Sequence, residues 1–326
     1  METKYFNDAI IGNKNMTISF SKNGELLRLF NQAPDYKQFF EFFHAGVQIN
    51  DSALIYLHND INNNFKQFYI EGTNVLTTEI INTYFNLKIT QIDFAMVKEN
   101  VLVRRYHFVN NNTIDLNLKF LTYSKLFTNI NNDACGFVKN DALLQYTHDY
   151  NIAILSNKNK ILSHQLNDSS NDIHTGIIQD KDYIGMSSDS SVSYDCKIIK
   201  PNESVTLYIL IYVNDNKEKY KLYDIENEIE RIKKIDYNNE LKLTKNYWRK
   251  YVKNHNMLEL DITNEEYKEK IEKIYNRSIL LYPLLINETT GGIQAAVEVD
   301  EKLDKCGRYA YCWTRDAAFI TKALDI

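Results

Sequence analysis

The sequence predicts a mixed, mainly β protein: an antiparallel β-sandwich over residues 1–215, then helices. Three observations predict it. Aromatic residues are 13% of 326 positions, with 23 Tyr and 16 Phe, and such side chains suit half-buried pleated surfaces. Short runs of alternating apolar and polar residues, separated by Asn, Gly and Pro turns, continue to about residue 215. From about residue 217 the apolar period lengthens to that of a helix.

Taken in order, Asn23-Gly24 lies between Met16–Phe20 and Leu26–Phe30, a strong hairpin signal. Val101–Val109 and Ile114–Leu121 flank the polar turn Asn110 to Thr113. In the second of these strands Ile114, Leu116, Leu118 and Phe120 alternate with Asp115, Asn117 and Lys119. That period of two puts one face on a core and one in water. Asn167–Asn171 reads as a surface loop. Pro201 to Ser204 is a turn before Val205–Val213, apolar enough for a buried strand. Many strands without helical periodicity predict a sandwich.

Lys217 to Lys221 alternates with Glu as a solvated helix face. Leu222, Ile225, Ile229 and Ile232 then recur at helical spacing. Tyr247, Trp248 and Tyr251 extend helical character towards His255, and read as packing between domains rather than a ligand site. Thr263-Asn264-Glu265-Glu266 reads as a capping box. Tyr267, Ile271, Ile274, Ser278 and Leu281 follow on one helix face, and Pro283 ends or kinks that helix. Gly291-Gly292 breaks the chain, a loop runs to Trp313, and residues 317–326 are helical again. One apolar helix at a chain end needs partner helices, which leads us to expect a truncated domain.

Composition bounds the function. The apolar fraction is 44%, the charged fraction 25% and the net charge −5, ordinary values for a soluble globular protein. No Lys/Arg block supplies an electrostatic footprint for nucleic acid. The start of the chain has no apolar signal region and no stretch reaches membrane-spanning length, so a cytoplasmic protein without a membrane partner is expected. Cys135, Cys196, Cys306 and Cys312 form no CxxC pattern, so the cysteines predict free thiols and no zinc. His44, His58, His107, His148, His164, His174 and His255 are scattered, with no metal or nucleophile partner in sequence. No metal or other cofactor is expected. Oligomeric state is not legible.

The chemistry-bearing stretch is Gly291-Gly292-Ile293-Gln294-Ala295-Ala296, followed by Tyr309-Ala310-Tyr311-Cys312-Trp313-Thr314-Arg315-Asp316. Aromatic faces pack on the C–H surface of a sugar ring, while Arg and Asp supply donors and acceptors for its hydroxyls. Where a loop enters a helix, such neighbours can share a pocket. On residue types alone the group reads rather as an exposed ion pair beside core aromatics. Glu298, Asp300, Glu301 and Asp304 read as solvated loop residues.

The wider pattern resembles the first active-site loop of the glucoamylase-type inverting glycosidases, family 15 of the glycoside hydrolases. The front end agrees. Ile11-Gly12-Asn13 to Gly24-Glu25-Leu26, Asp35 to Phe40, His44-Ala45-Gly46-Val47 and Val103-Arg104-Arg105-Tyr106 look like the sandwich of the bacterial members. The resemblance implies an N-terminal antiparallel super-β-sandwich (1–215), linker helices (216–260) and the first helices of an (α/α)6 catalytic barrel (261–326), incomplete here. It implies an α-glucan or oligosaccharide substrate, with glucose released from non-reducing ends by inversion. Arg315 and Asp316 would hold the terminal glucose hydroxyls, Trp313 would pack beside the scissile bond, and Tyr311 and Tyr309 would line the innermost subsite. The acid and base glutamates of such enzymes, spaced by about 6.5–9.5 Å to admit water, have no counterpart in this chain, so no catalytic residue is assigned and the chain alone should be inactive. A trehalase or other α-glucoside hydrolase is the rival within the class. A noncatalytic carbohydrate-binding or remnant protein is the rival outside it.

Overall fold

A computed structural model describes residues 7–31, 38–127, 135–147, 150–183, 189–214, 222–255, 258, 260–288, 290–297 and 311–324. The fold is mainly β, two antiparallel sheets of eight strands each, with helices after them. The first sheet holds β1 (Ala9–Gly12), β2 (Met16–Phe20), β3 (Leu26–Asn31), β4 (Phe40–Ile49) and β5 (Ile55–Tyr56). It also holds β10 (Leu116–Leu126), β14 (Ile161–Leu166) and β15 (Asp189–Ile199). Its order is β1-β2-β3-β4-β10-β15-β14, with β5 on β4. The second holds β6 (Asn63–Tyr69), β7 (Leu76–Asn82), β8 (Leu87–Ala95) and β9 (Val101–Asn110). It is completed by β11 (Cys135–Lys139), β12 (Ala142–Tyr146), β13 (Asn151–Ser156) and β16 (Ser204–Asn214), in the order β11-β12-β13-β16-β9-β8-β7-β6.

The Asn23-Gly24 hairpin forms between β2 and β3, with Gly24 at φ 79°, a conformation glycine adopts without a Cβ penalty. The Asn110–Thr113 turn is present, but it carries the chain from the second sheet to the first rather than closing a hairpin. Buried Asn110 braces this crossing, donating to the Ile114 carbonyl at 2.9 Å and the Ile199 carbonyl at 2.8 Å. Leu116, Leu118 and Phe120 lie in the core between the sheets as the alternation predicts. Ile114 does not: it is 53% exposed, because β10 starts two residues later. Asn167–Asn171 is not merely a surface loop, since a short helix α1 (Ser169–Asp172) forms there with Ser169 buried.

The predicted buried strand is β16. Leu207, Ile209, Ile211 and Val213 face the inter-sheet core, while Tyr208 and Leu210 face a second apolar layer. That layer is made by helix α2 (Leu222–Lys233), whose Ile225, Ile229 and Ile232 cover the outer face of the second sheet. Each such burial is worth about 1.5–3 kcal/mol. Strand and helix thus explain each other: an apolar run with no alternation needs cover on both faces. Lys217–Lys221 lies outside the described residues.

Helix α3 (Tyr237–Lys253) starts at Asp236, whose carboxylate accepts from the Asn238 and Asn239 amides at 3.0 and 3.3 Å. Its Trp248 packs with Leu280 and Leu284 of α4 (Glu265–Leu285), beside Ile10, Tyr247, Tyr251 and Val252. The aromatic group is packing. Two expectations for α4 need correction. Asn264 is the N-cap, not Thr263; its side chain accepts from the Tyr267 amide at 3.2 Å, and its extended backbone (φ −86°, ψ 104°) is what an N-cap requires. The predicted face is also not buried: Tyr267, Ile271 and Ile274 are exposed, and Ile279, Leu280, Leu284 and Leu285 are the buried residues. Only the second half of α4 reaches the sandwich, so core contact follows that half. Pro283 sits in the last turn and the helix continues to Leu285, since only one donor is lost there.

Candidate functional site

The site segment is placed by the C-terminal end of α4. The last carbonyls of a helix lack intrahelical donors. Here the Thr17 hydroxyl in β2 donates to the Leu284 carbonyl at 3.2 Å, and the Gln294 amide donates to the Leu285 carbonyl at 3.0 Å. Arg277 and Asn74 tie the same helix to the sandwich. The Arg277 guanidinium lies 3.9 Å from the Tyr69 ring centre and donates to Asn74 Oδ1 at 2.5 Å, while Asn74 Nδ2 donates to the Leu280 carbonyl at 2.9 Å.

The Gly-Gly break is a tight reversal. Gly291 has φ 70° and its amide donates to the Asn287 carbonyl at 2.7 Å; Ile286 and Ile293 pair as an antiparallel bridge. Ile293, Gln294 and Val297 are buried as the chain returns. Gln294 Oε1 has no hydrogen-bond partner among the described residues. The Ala295 amide then donates to the Tyr311 carbonyl at 3.2 Å. That bond joins the two halves of the sequence pattern, although residues 298–310 lie between them in the sequence.

Helix α5 (Thr314–Leu324) begins within the second half. The Ala317 amide donates to the Trp313 carbonyl at 2.9 Å, so Trp313 stands at the helix entry. Tyr311 is 44% exposed and Trp313 49%. The Arg315 guanidinium pairs with Asp316 Oδ2 at 3.1 Å, with the Arg315 side chain 76% exposed and that of Asp316 35%. Asp316 lies in the first turn, where a carboxylate favours the helix dipole. The reading of these residues as an exposed ion pair beside core aromatics is therefore half right: the pair is exposed, but the aromatics are not in a core. Tyr309 lies outside the described residues, as do Glu298, Asp300, Glu301, Asp304, Cys306 and His148. Tyr311, Trp313 and Arg315 are exposed and Asp316 is partly exposed, and these are side-chain types that stack on rings and bond hydroxyls.

One grouping is invisible in sequence order. Glu25, His44 and His58 lie together on the first sheet, with ligand-capable atoms all within 4.8 Å of one another. No spacing rule brings a hairpin turn, a strand and a loop to one point; only sheet topology does. His44 and His58 have no metal-ligating partner in sequence order, and they meet Glu25 only in the fold.

No family model matches the chain. Over 97% of its length it is 28% identical to the uncharacterized glycosyl hydrolase MJ1610 of Methanocaldococcus jannaschii. The chain covers 50% of that relative. Its fold matches a bacterial glucoamylase solved in complex with acarbose, at a TM-score of 0.71 and 15% identity, over 99% of this chain and 49% of that one. It also matches a candidate kojibiose phosphorylase from the human microbiome, at a TM-score of 0.61 and 14% identity, over 90% of this chain and 41% of that one. The chain thus spans about half the length of the proteins it matches. The chain shares its fold with a part of each of these two solved structures. No described helix is long and apolar enough to cross a membrane.

Proposed function

We propose that this chain is the sandwich, linker and first barrel helices of a glucoamylase-like glycoside hydrolase. Residues 1–215 are the sandwich domain, 216–260 the linker helices and 261–326 the opening of the catalytic barrel. The whole protein releases glucose from the non-reducing ends of α-glucosides with inversion. In this reading Arg315 and Asp316 bind terminal hydroxyls, Trp313 and Tyr311 stack on the sugar, and Tyr309 completes the subsite. The observation that carries the reading is the bond from the Ala295 amide to the Tyr311 carbonyl. It sets the Gly-Gly-Ile-Gln-Ala-Ala return, in which Ile293 and Gln294 are buried, beside aromatic and charged residues at a helix entry. The acid–base pair belongs to the remainder of the whole protein.

The test is the full-length protein with maltotriose, read by the anomeric form of the first glucose released. β-Glucose, with release lowered by Arg315→Ala, supports the reading. No release, or retention of the α-anomer, overturns it. The likeness to a candidate kojibiose phosphorylase favours a second reading, phosphorolysis. Release of glucose 1-phosphate that depends on added phosphate would select it. Maltose, isomaltose and trehalose, compared side by side, give the linkage.

A further inference from the structure

We propose that Glu25, His44 and His58 bind one divalent transition-metal ion of the zinc class, in a three-ligand site with an open coordination position. His44 lies in β4 between Phe43 and Ala45, whose side chains enter the core; its imidazole therefore points to the opposite face of the sheet. Glu25 follows the Asn23-Gly24 turn, and His58 follows β5. Three separate segments converge. His44 Nε2 is 3.2 Å from Glu25 Oε1, and the His44 and His58 ring centres are 4.8 Å apart.

The chemistry of the set favours a cation. A divalent ion satisfies both nitrogens and the carboxylate at once. Bonds of about 2.0–2.2 Å in tetrahedral geometry need donors roughly 3.3 Å apart. The His44–Glu25 separation already meets that, and the His58 ligand atom, within 4.8 Å of the others, would have to move closer on binding. Imidazole and carboxylate donors match zinc-class ions, and three protein ligands leave a position for water or another oxygen ligand.

The surroundings hold the ligands as a metal site requires. Asn23 Nδ2 donates to the His58 carbonyl at 3.0 Å, which ties two ligand-bearing segments together. The Gly24 carbonyl, beside Glu25, accepts from Arg104 at 2.8 Å and from Gln91 at 2.9 Å, both in the other sheet. Tyr56 and Tyr123 each lie 5.8 Å from the His44 ring and wall the site. The Tyr56 hydroxyl is in turn 3.0 Å from His174 Nδ1. His44 and Glu25 are about one-sixth exposed, at 16% and 18%, so an ion can enter from solvent.

The experiment is titration of the chelator-stripped protein with Zn²⁺ by calorimetry, and with Co²⁺ by visible absorption. One ion per chain is expected, with the strong visible bands of low-coordinate Co²⁺. His44→Asn, His58→Asn and Glu25→Gln should each weaken binding at least tenfold, and Asn23→Ala by a smaller factor, since Asn23 holds the His58 main chain rather than its imidazole. His164→Asn should change nothing, although His164 pairs with Asp182 at 2.7 Å on the surface. In case a ligand variant does not fold, Co²⁺-induced shifts of the His44 and His58 ring signals in the unsubstituted protein give an independent reading. No binding, binding that persists in the ligand variants, binding lost in His164→Asn, or unshifted His44 and His58 signals would each overturn the proposal.

Discussion

Arg104 Nε donates to Asp93 Oδ1 at 2.8 Å in the centre of the sandwich, with the two side chains 2% and 0% exposed. The same guanidinium donates to the Gly24 carbonyl and lies over the rings of Phe20, Phe43 and Tyr106. Burial pushes the Asp93 carboxyl up and the Arg104 charge draws it back. A charge so buried needs its partner, since an unpaired ion in an apolar interior is far costlier than the pair.

Asp93→Leu alone is therefore expected to cost about 3–5 kcal/mol, because it leaves Arg104 buried without its carboxylate, and Arg104→Met alone a similar amount. Arg104→Met with Asp93→Leu should recover most of that loss. Urea unfolding of both single variants and the double variant measures it, and additive losses would contradict the coupling.

Gly24→Ala tests the hairpin. The positive φ alone costs roughly 1–2 kcal/mol for an alanine. Its Cβ would also stand 2.9 Å from Thr78 Oγ1 and 3.1 Å from Gln91 Nε2. A lowered unfolding midpoint with an unchanged denaturant slope is the expected result.

Trp248→Ala should loosen the α3–α4 pair from the sandwich at a cost of about 3–5 kcal/mol. Hydrogen exchange should rise in both helices more than in β9 and β16, because Trp248 packs on Leu280 and Leu284 rather than on the inter-sheet core.

Asn264→Ala should cost about 1 kcal/mol by removing the cap on the Tyr267 amide. Thr263→Ala should cost a few tenths at most. Equal losses would mean that the capping box forms in solution instead.

Burial pushes the Cys196 thiol up to about 12, whereas Cys312 is exposed. A thiol that stays protonated and covered is a poor nucleophile. Brief alkylation of the folded protein near pH 8, followed by peptide mass analysis, should label Cys312 and spare Cys196. Denaturation should open Cys196.

Much of the fold was legible because its signals are local. Asn23-Gly24 specifies a turn through backbone sterics, and the Ile225, Ile229 and Ile232 spacing specifies a helix and its buried face. The α4 stripe misled because periodicity reports which residues share a face, not whether anything covers it. Tyr267, Ile271 and Ile274 share a face and remain exposed. Ile114 misled because alternation continues beyond the end of a strand. In the candidate site, the aromatic and charged types were visible in sequence. The Ala295–Tyr311 bond that joins the two motif halves was not.

The sequence by itself determined the mainly β fold class, the Asn23-Gly24 hairpin and helix α2 with its buried face, since each depends on near neighbours along the chain. Tertiary structure alone decided three other things. It paired Arg104 with Asp93 and set both against Gly24. It exposed Trp313 and Tyr311 rather than burying them. It brought Glu25, His44 and His58 to one point. The first and third depend on residues from separate segments meeting across a sheet or between sheets, and that register is set by the packing of the whole chain.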